Sequence, residues 1–554
     1  NINRRYDIVY GDVMLNFNYN IRRFDIAATL GWTGRYENMN NMRVSTNGGL
    51  VTENWFDLNA SRYTASSTLQ RMELLKTGYM GTLSLGWDNY LFLELTGRQE
   101  RSSTLKDQSF FYPSANLSFL FSNAFRMPAW WNHGKLRLSY GVVGNAPETY
   151  AANIIYEQGS DNGFTWNYVP SSWGNANIRP EKKYEYEIGF ESKFLNNRLG
   201  FDVSYYNNRV KDQILSTPQP STSGVKYVLM NVGEVANEGW DISVSATPVL
   251  TKNFRWDLTA NYGIYRNKVV KLADGVPYLE ISNIGGGGAK IQAVEGRPMG
   301  DIYVQVPQMN ENGEYLVSDK GLYMNQTELQ RVGNINPDGV GGLFSSFSYK
   351  NIFLDFSIDF RIGGDVINEM YQYSTASGLT PESLQFRDTE HGGLSYYYPG
   401  NNNASGVPVQ VDPSLGAGPN GETVYHDGVI LPGVVASTGE KNTRIIPAGY
   451  YYNQTYNWGT QPEQLTYRHS VFDNSYVKLR ELTIGYQFPE KLISKLGMTR
   501  LSVSVFGRNL FYFYKALKNY DAESSVGTSW ASQAVVGGST TATRNFGVSL
   551  RASF

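Results

Sequence analysis

Apolar and polar residues alternate along much of this chain. In the closing stretch, Phe546, Val548, Leu550, Ala552 and Phe554 hold one set of alternate positions; Asn545, Gly547, Ser549, Arg551 and Ser553 hold the other. Successive side chains of a strand point to opposite faces, so this segment predicts a strand with one apolar and one polar face. The pattern recurs at Phe24, Ile26, Ala28, Leu30 and Trp32; at Leu136, Leu138, Tyr140 and Val142; at Trp240, Ile242, Val244 and Ala246; and at Ile352, Leu354, Phe356, Ile358 and Phe360. One such strand would suit a soluble sandwich equally well. A long series of them suits strands that cross a bilayer obliquely.

The connections between these strands are alternately short and long. Tight turns are predicted at Ile21-Arg22-Arg23, Asn196-Asn197-Arg198, Thr251-Lys252-Asn253 and Lys350-Asn351, and long connections near 37–70, 145–180, 269–330, 364–474 and 513–543. In outer-membrane barrels the short turns face the periplasm and the long loops face outside. The expected fold is therefore all-β: a transmembrane antiparallel β-barrel over residues 1–554, with 364–474 as a folded extracellular cap. Counting back from Phe554 gives about 15 strands. An odd number with a periplasmic C-terminus puts Asn1 outside, whereas complete barrels of this type have an even number of strands. Parity thus predicts further strands before Asn1.

Composition narrows the chemistry. There is no Cys, which removes disulfides and thiolate metal sites. Formal net charge is −2, giving no electrostatic case for nucleic acid. Aromatics reach 14% with 40 Tyr, and Tyr and Trp favour boundaries that are apolar at one end and wet at the other. No run of 18 apolar residues suggests a membrane helix, while barrel strands need none.

A terminal Phe after an alternating strand resembles the C-terminal membrane-insertion signal of bacterial outer-membrane proteins, here carried by Phe546, Val548, Leu550 and Phe554. An ordered set of motifs resembles the SusC/RagA family of TonB-dependent outer-membrane transporters. Lys135-Leu-Arg-Leu-Ser-Tyr-Gly-Val-Val-Gly-Asn145 is similar to its strand with a Y-G-x-x-G-N loop entry. Asn177-Ile-Arg-Pro-Glu-Lys-Lys-Tyr-Glu-Tyr-Glu resembles its N-x-x-L-K-W-E hairpin, with departures at Pro180 and Tyr184. Asn231-Val-Gly-Glu-Val-Ala-Asn-Glu-Gly239, Glu295-Gly-Arg-Pro-Met-Gly300, Ser475-Tyr-Val-Lys-Leu-Arg-Glu-Leu and Gly507-Arg-Asn-Leu-Phe511 follow in the family's order; at Tyr520-Asp521, Ala522 replaces the usual Pro.

The resemblance implies the last 15 or so strands of a roughly 22-stranded barrel whose plug domain is absent from this chain. It implies an importer of a large nutrient, an oligosaccharide or oligopeptide. The partners it implies are a SusD-like surface lipoprotein, the periplasmic TonB-ExbB-ExbD motor and the lipid bilayer, and it admits a dimer of transporter–lipoprotein pairs. No cofactor, metal or catalysis is expected. The alternative is a barrel that serves only as a structural or interaction subunit of an outer-membrane complex; a soluble β-rich enzyme is more remote.

Candidate sites follow from aromatic density. Trp173, Tyr397, Tyr451 and Trp458 present flat apolar faces suited to substrate, although they would equally pack a cap internally. Tyr150, Tyr156, Trp166 and Tyr168 in the 145–180 loop, with Pro218 and Pro220 in the 212–226 loop, suit an interface with the partner lipoprotein. The four His, His133, His391, His426 and His469, form no metal-binding spacing and read as solvated turn and loop residues. Gly285-Gly286-Gly287-Gly288 lacks the phosphate-loop spacing and reads as a flexible loop, and Asn312-Gly313 as a turn.

Overall fold

The computed structural model describes residues 2–554 apart from 107, 162, 163, 221, 223, 458–461, 465 and 539, so candidate Trp458 lies outside the described residues. The chain divides into two units, Asn1–Pro248 with Tyr265–Pro277, and Val249–Ile264 with Tyr278–Phe554. No helix among the described residues is long and apolar enough to cross a membrane.

The first unit is a ladder of long antiparallel strands, each paired with the next: β1 (Ile2–Ile21), β2 (Phe24–Leu50), β3 (Ser61–Trp87), β4 (Leu91–Ser102), β5 (Ser109–Phe119), β6 (Trp131–Asn145), β7 (Glu181–Phe194), β8 (Leu199–Lys211) and β9 (Glu234–Leu250). The second holds a like ladder: β10 (Phe254–Lys271), β11 (Gly339–Tyr349), β12 (Ile352–Ile362), β13 (Tyr476–Gln487), β14 (Arg500–Lys515) and β15 (Asn545–Ser553). Among the described residues, the strand order of the ladder begins at β1 and finishes at β15.

The alternation read from the sequence is the alternation of faces. On β15, Phe546, Val548, Leu550 and the terminal Phe554 are 68–82% exposed on one side, and Val548 and Leu550 stand beside Val505 and Val503 of β14. Exposed apolar residues continue along the corresponding face of each unit, including Leu138, Ile188 and Trp240 in the first and Ile352 and Ile484 in the second. The opposite face carries ion pairs. Arg137 bonds Asp202 at 2.6 Å, Arg98 bonds Glu100 at 2.8 Å and Arg480 bonds Asp359 at 2.5 Å. A soluble sheet buries its apolar face and wets its polar one, so this inverted arrangement is that of strands with lipid outside.

Short turns close one end, with Asn196 and Asn197 at φ 58° and 62°, a conformation Asn tolerates better than most residues. Aromatic rings run along this end of the first unit. Phe24 stacks on Trp87, Phe121 meets Trp131 at 5.6 Å, Trp131 meets Phe194 at 5.4 Å, and Phe194 meets Phe201 at 6.1 Å. Such a band marks the boundary between hydrocarbon and headgroups.

One long connection departs from the sequence reading. Residues 37–70 are not a loop: β2 and β3 run for 27 residues each and only 51–60 joins them. Where both faces of a hairpin meet water the hydrophobic period vanishes, although backbone pairing continues from Arg43↔Thr68 down to Phe24↔Trp87. A strand needs only about ten residues to cross the bilayer, so this hairpin projects well beyond it.

The connections of the second unit form a folded body larger than 364–474. Helix α1 (Glu369–Ala376), helix α2 (Ala448–Tyr456) and several small sheets lie between β12 and β13. Asp365–Asn368 pairs with both Val471–Asp473 and Val535–Val536, and Leu316–Val317 pairs with Val434–Val435. One core cluster gathers Ile291 and Ile302 from the connection before β11, Ile367 and Tyr467 from that before β13, and Ala534 and Val535 from that before β15. The cap is thus assembled from three connections.

Candidate functional site

The sequence motifs prove to be anchors where strands meet connections. Asn231 accepts a hydrogen bond from the Arg179 backbone N–H at 2.7 Å and donates to the carbonyls of Arg179 and Asp212, clamping two motifs together. Glu181 accepts from the Ile214 N–H at 2.7 Å. Gly300 at φ 93° sits where a Cβ would lie 2.8 Å from Ile335 and 2.9 Å from Trp530. It delivers the chain to buried Asp301, which accepts from Arg297 at 2.6 Å, Arg331 at 2.9 Å and Asn334 at 2.9 Å. Burial raises the Asp301 carboxyl, but these donors outweigh it and hold the group below its ordinary range. Asn509 accepts from Arg480 at 3.1 Å, and Asp521 accepts from the Tyr512 hydroxyl at 2.5 Å. Fixed junctions leave the loops they frame in defined positions.

Two loops of the first unit are joined directly. Ile214–Pro218 and Tyr227–Asn231 form a hairpin, and Tyr227–Val228 pairs in parallel with Ser172–Trp173. Leu105, Phe110 and Ile178 form the small core beneath, with Ile214 and Leu229 packed on it. Above it, Glu157–Asp161 pairs with Phe164–Tyr168. Tyr150, Tyr156, Trp166 and Tyr168 are all well exposed there, and Tyr150 also accepts from the Glu73 N–H at 3.2 Å. Pro220 is exposed, and the Pro218 side chain lies outside what the structure describes. Trp173 meets Tyr156 edge-on at 6.1 Å, so this candidate substrate contact shares a patch with the candidate interface residues.

Tyr397 and Tyr451 belong to the second unit. Tyr397 is half-buried against Gly418. Tyr451 packs against the clusters around Leu322 and Tyr452, and burial pushes its phenol up. Gly285, read as part of a flexible loop, is instead pressed against Tyr467 at φ 59°, where any Cβ would collide with the phenol. Asn312-Gly313 is the expected turn, with Asn310 accepting from the N–H groups of Asn312 and Glu314. On the polar face of the first unit, near the short turns, lies a cavity of about 640 Å³ lined in part by Asp25, Glu94, Asn116 and Phe92.

The histidines divide. His133 lies 3.6 Å from Glu191, His391 bonds Asp388 at 2.7 Å and His426 bonds Ser395 at 2.8 Å. His469 is not a solvated loop residue. Its ring lies 5.4 Å from that of Tyr456, and burial, then Arg468, holds it below the ordinary value of 6.5. The folded cap therefore keeps it neutral. Below 6.5 the unfolded chain binds a proton that the folded cap refuses, so His469 costs stability as pH falls from 6.5 toward its depressed folded value. Glu369 works the other way, since burial holds its carboxyl high and acidification below that value restores stability. Amide exchange over Tyr467–Val471 should report more opening at about pH 5.5 than at about pH 7.5 after correction for intrinsic rates, and His469→Phe should abolish the histidine's share. Equal pH dependence in the variant would refute the assignment.

Against this geometry, a family model described as TonB dependent receptor-like, beta-barrel matches residues 1–301. The TonB-dependent receptor P3 of Formosa agariphila is 22% identical over 494 residues, covering 81% of this chain and 42% of that protein. The TonB-dependent receptor SusC of Bacteroides thetaiotaomicron is 27% identical over 256 residues, covering 40% of this chain and 24% of that protein. The structure of the RagAB peptide transporter superposes with a TM-score of 0.69 at 18% identity, over 99% of this chain and 56% of that chain, a likeness of fold. The chain spans less than half the length of these curated relatives.

Proposed function

Because this chain belongs to the TonB-dependent receptor-like β-barrel family, we propose that it supplies the C-terminal part of the barrel of an active outer-membrane importer. The observation that carries the reading is the two-faced ladder. Its apolar side is exposed, and its polar side bears ion pairs suited to a wet passage. In the importer the strands would close into a barrel that leaves no backbone edge in hydrocarbon, around a plug of the kind the resemblance implies. Import would draw on TonB-ExbB-ExbD from the periplasm. The cargo would be an oligosaccharide or oligopeptide, with Trp173 in the first unit and Tyr397 in the second each a candidate contact by itself.

A SusD-like lipoprotein would dock on the joined loops of the first unit, where Tyr150, Tyr156, Trp166 and Tyr168 give the exposed aromatic density that interfaces favour. Deleting 150–173 while preserving insertion should release a co-purifying lipoprotein; retention at wild-type stoichiometry would remove these loops from the interface. The import reading is tested in whole cells with fluorescent oligopeptides and oligosaccharides. Uptake of one class should fall to background on gene deletion and on adding a protonophore. Unchanged uptake of both classes, with loss of an envelope complex, would mean a structural subunit instead.

A further inference from the structure

We propose that the outward face at the loop end of β6–β8 binds the phosphate of an anionic lipid headgroup. The apolar band is measurable on β7. Phe194, beside Trp131, stands at the short-turn end, and Tyr186 and Tyr184 stand eight and ten residues above it. At ~3.3 Å per residue and ~40° of tilt, that separation is roughly 20–25 Å, the height of the hydrocarbon band in such barrels. Tyr186 pairs with Tyr140 across the ladder, and both are exposed, so they form the second aromatic girdle.

Immediately past this girdle, Lys182 of β7 stands directly opposite Lys211 of β8. Like charges directly opposite one another are destabilising. Neither lysine has an ion pair among the described residues, and Lys211 lies 6.0 Å from the centre of the Tyr184 ring. Arg209, opposite Tyr184, adds a third cation on the same face. The nearby carboxylates are already engaged: Glu234 by Arg209 at 3.1 Å, Asp212 by Arg179 at 2.9 Å, Glu238 by the Tyr205 hydroxyl at 3.4 Å and Glu181 by the Ile214 N–H. Beneath the cations lies a cavity of about 350 Å³ lined by Tyr140, Tyr184, Tyr186, Asn207, Arg209 and Lys211. Glu185, on its polar-face side, is held by Lys183 at 2.6 Å.

A phosphate between Lys182 and Lys211 would turn their repulsion into attraction. The cleft opens onto the same face as Leu138 and Ile188, both exposed, so a lipid bound there keeps its acyl chains against the apolar band. That continuity selects a lipid over a free anion.

The test uses the full-length protein purified in detergent with its co-purifying partners. Native mass spectrometry would count bound diphosphorylated lipid A and the same lipid stripped of phosphate. Wild type should retain about tenfold more of the phosphorylated form, and Lys182→Gln/Lys211→Gln should lose that preference, given about 1 kcal/mol per cation at an anionic surface before screening. Millimolar inorganic phosphate should not displace the lipid; displacement would make this a free-anion site and overturn the proposal. Equal retention of the two lipids by wild type would overturn it whether or not the double variant inserts, and so would an unchanged preference in an inserted double variant.

Discussion

Glu523→Gln should free the connection before β15 from the polar wall of its unit and cost about 3 kcal/mol. Lys478 on β13 is 2% exposed, and its ammonium bonds Glu523 and lies 4.7 Å from the centre of the Tyr512 ring. Arg480 reaches the same carboxylate at 2.5 Å while bonding Asp359. Removing the charge of Glu523 takes away the carboxylate that bonds this buried lysine and leaves only the ring and the more distant charges of Asp521 and Asp359, and a buried cation stripped of its bonded partner is far more costly than the pair is stabilising. Burial raises the Glu523 carboxyl, but hydrogen bonds from Arg480 and Lys478 outweigh it and hold the group below its ordinary 4.5. A depressed carboxylate contributes stability above its unfolded value and loses it as pH falls toward the folded one, so wild type should approach the variant in acid. Protease nicking within 516–544 reads the release directly. Lys478→Met with Glu523→Gln should recover most of the loss, since the orphaned cation is gone. An unaltered nicking rate in the single variant would show that the carboxylate does not hold the connection.

The second large effect belongs to the apolar face. Leu550→Arg should reduce assembled barrel in outer membranes, with a cost of about 2–4 kcal/mol if position 550 lies near the bilayer midplane. Ser549→Arg, one residue away, should insert nearly normally because it points to the polar face beside Ser504. Heat-modifiable migration of the full-length protein separates the two outcomes. Equal insertion of both variants would contradict the facing of β15.

The lipid-facing side of the strands was legible because its period of two survives wherever one face is apolar and the other polar. The same signal failed at β2 and β3, where the polar run Asn38, Asn40, Asn41 and Arg43 breaks the alternation while backbone pairing, joined by the Ser45–Ser66 hydroxyl contact at 2.7 Å, continues through it. The motifs located strand–loop junctions, but their spacing did not disclose that Asn231 and Arg179, or Asn509 and Arg480, are partners, since such contacts cross many residues of chain. Aromatic density in Phe119, Phe121, Phe125, Trp130 and Trp131 was the available sign of the band at the short turns. Nothing local marks His469 or Gly285: each owes its environment to Tyr456 or Tyr467, brought to it by the folding of the cap.

The girdles, the wet passage, the headgroup site and import itself all depend on which face of the ladder meets lipid. Spin labels placed singly from 545 to 553 in the full-length protein, assembled in outer membranes, test this most directly. Collision with dissolved oxygen should peak at 546, 548 and 550, and collision with a polar nickel chelate should peak at 547, 549 and 551, in strict alternation. Absence of alternation, or the same alternation displaced by one residue, would contradict the membrane-spanning register and everything built on it.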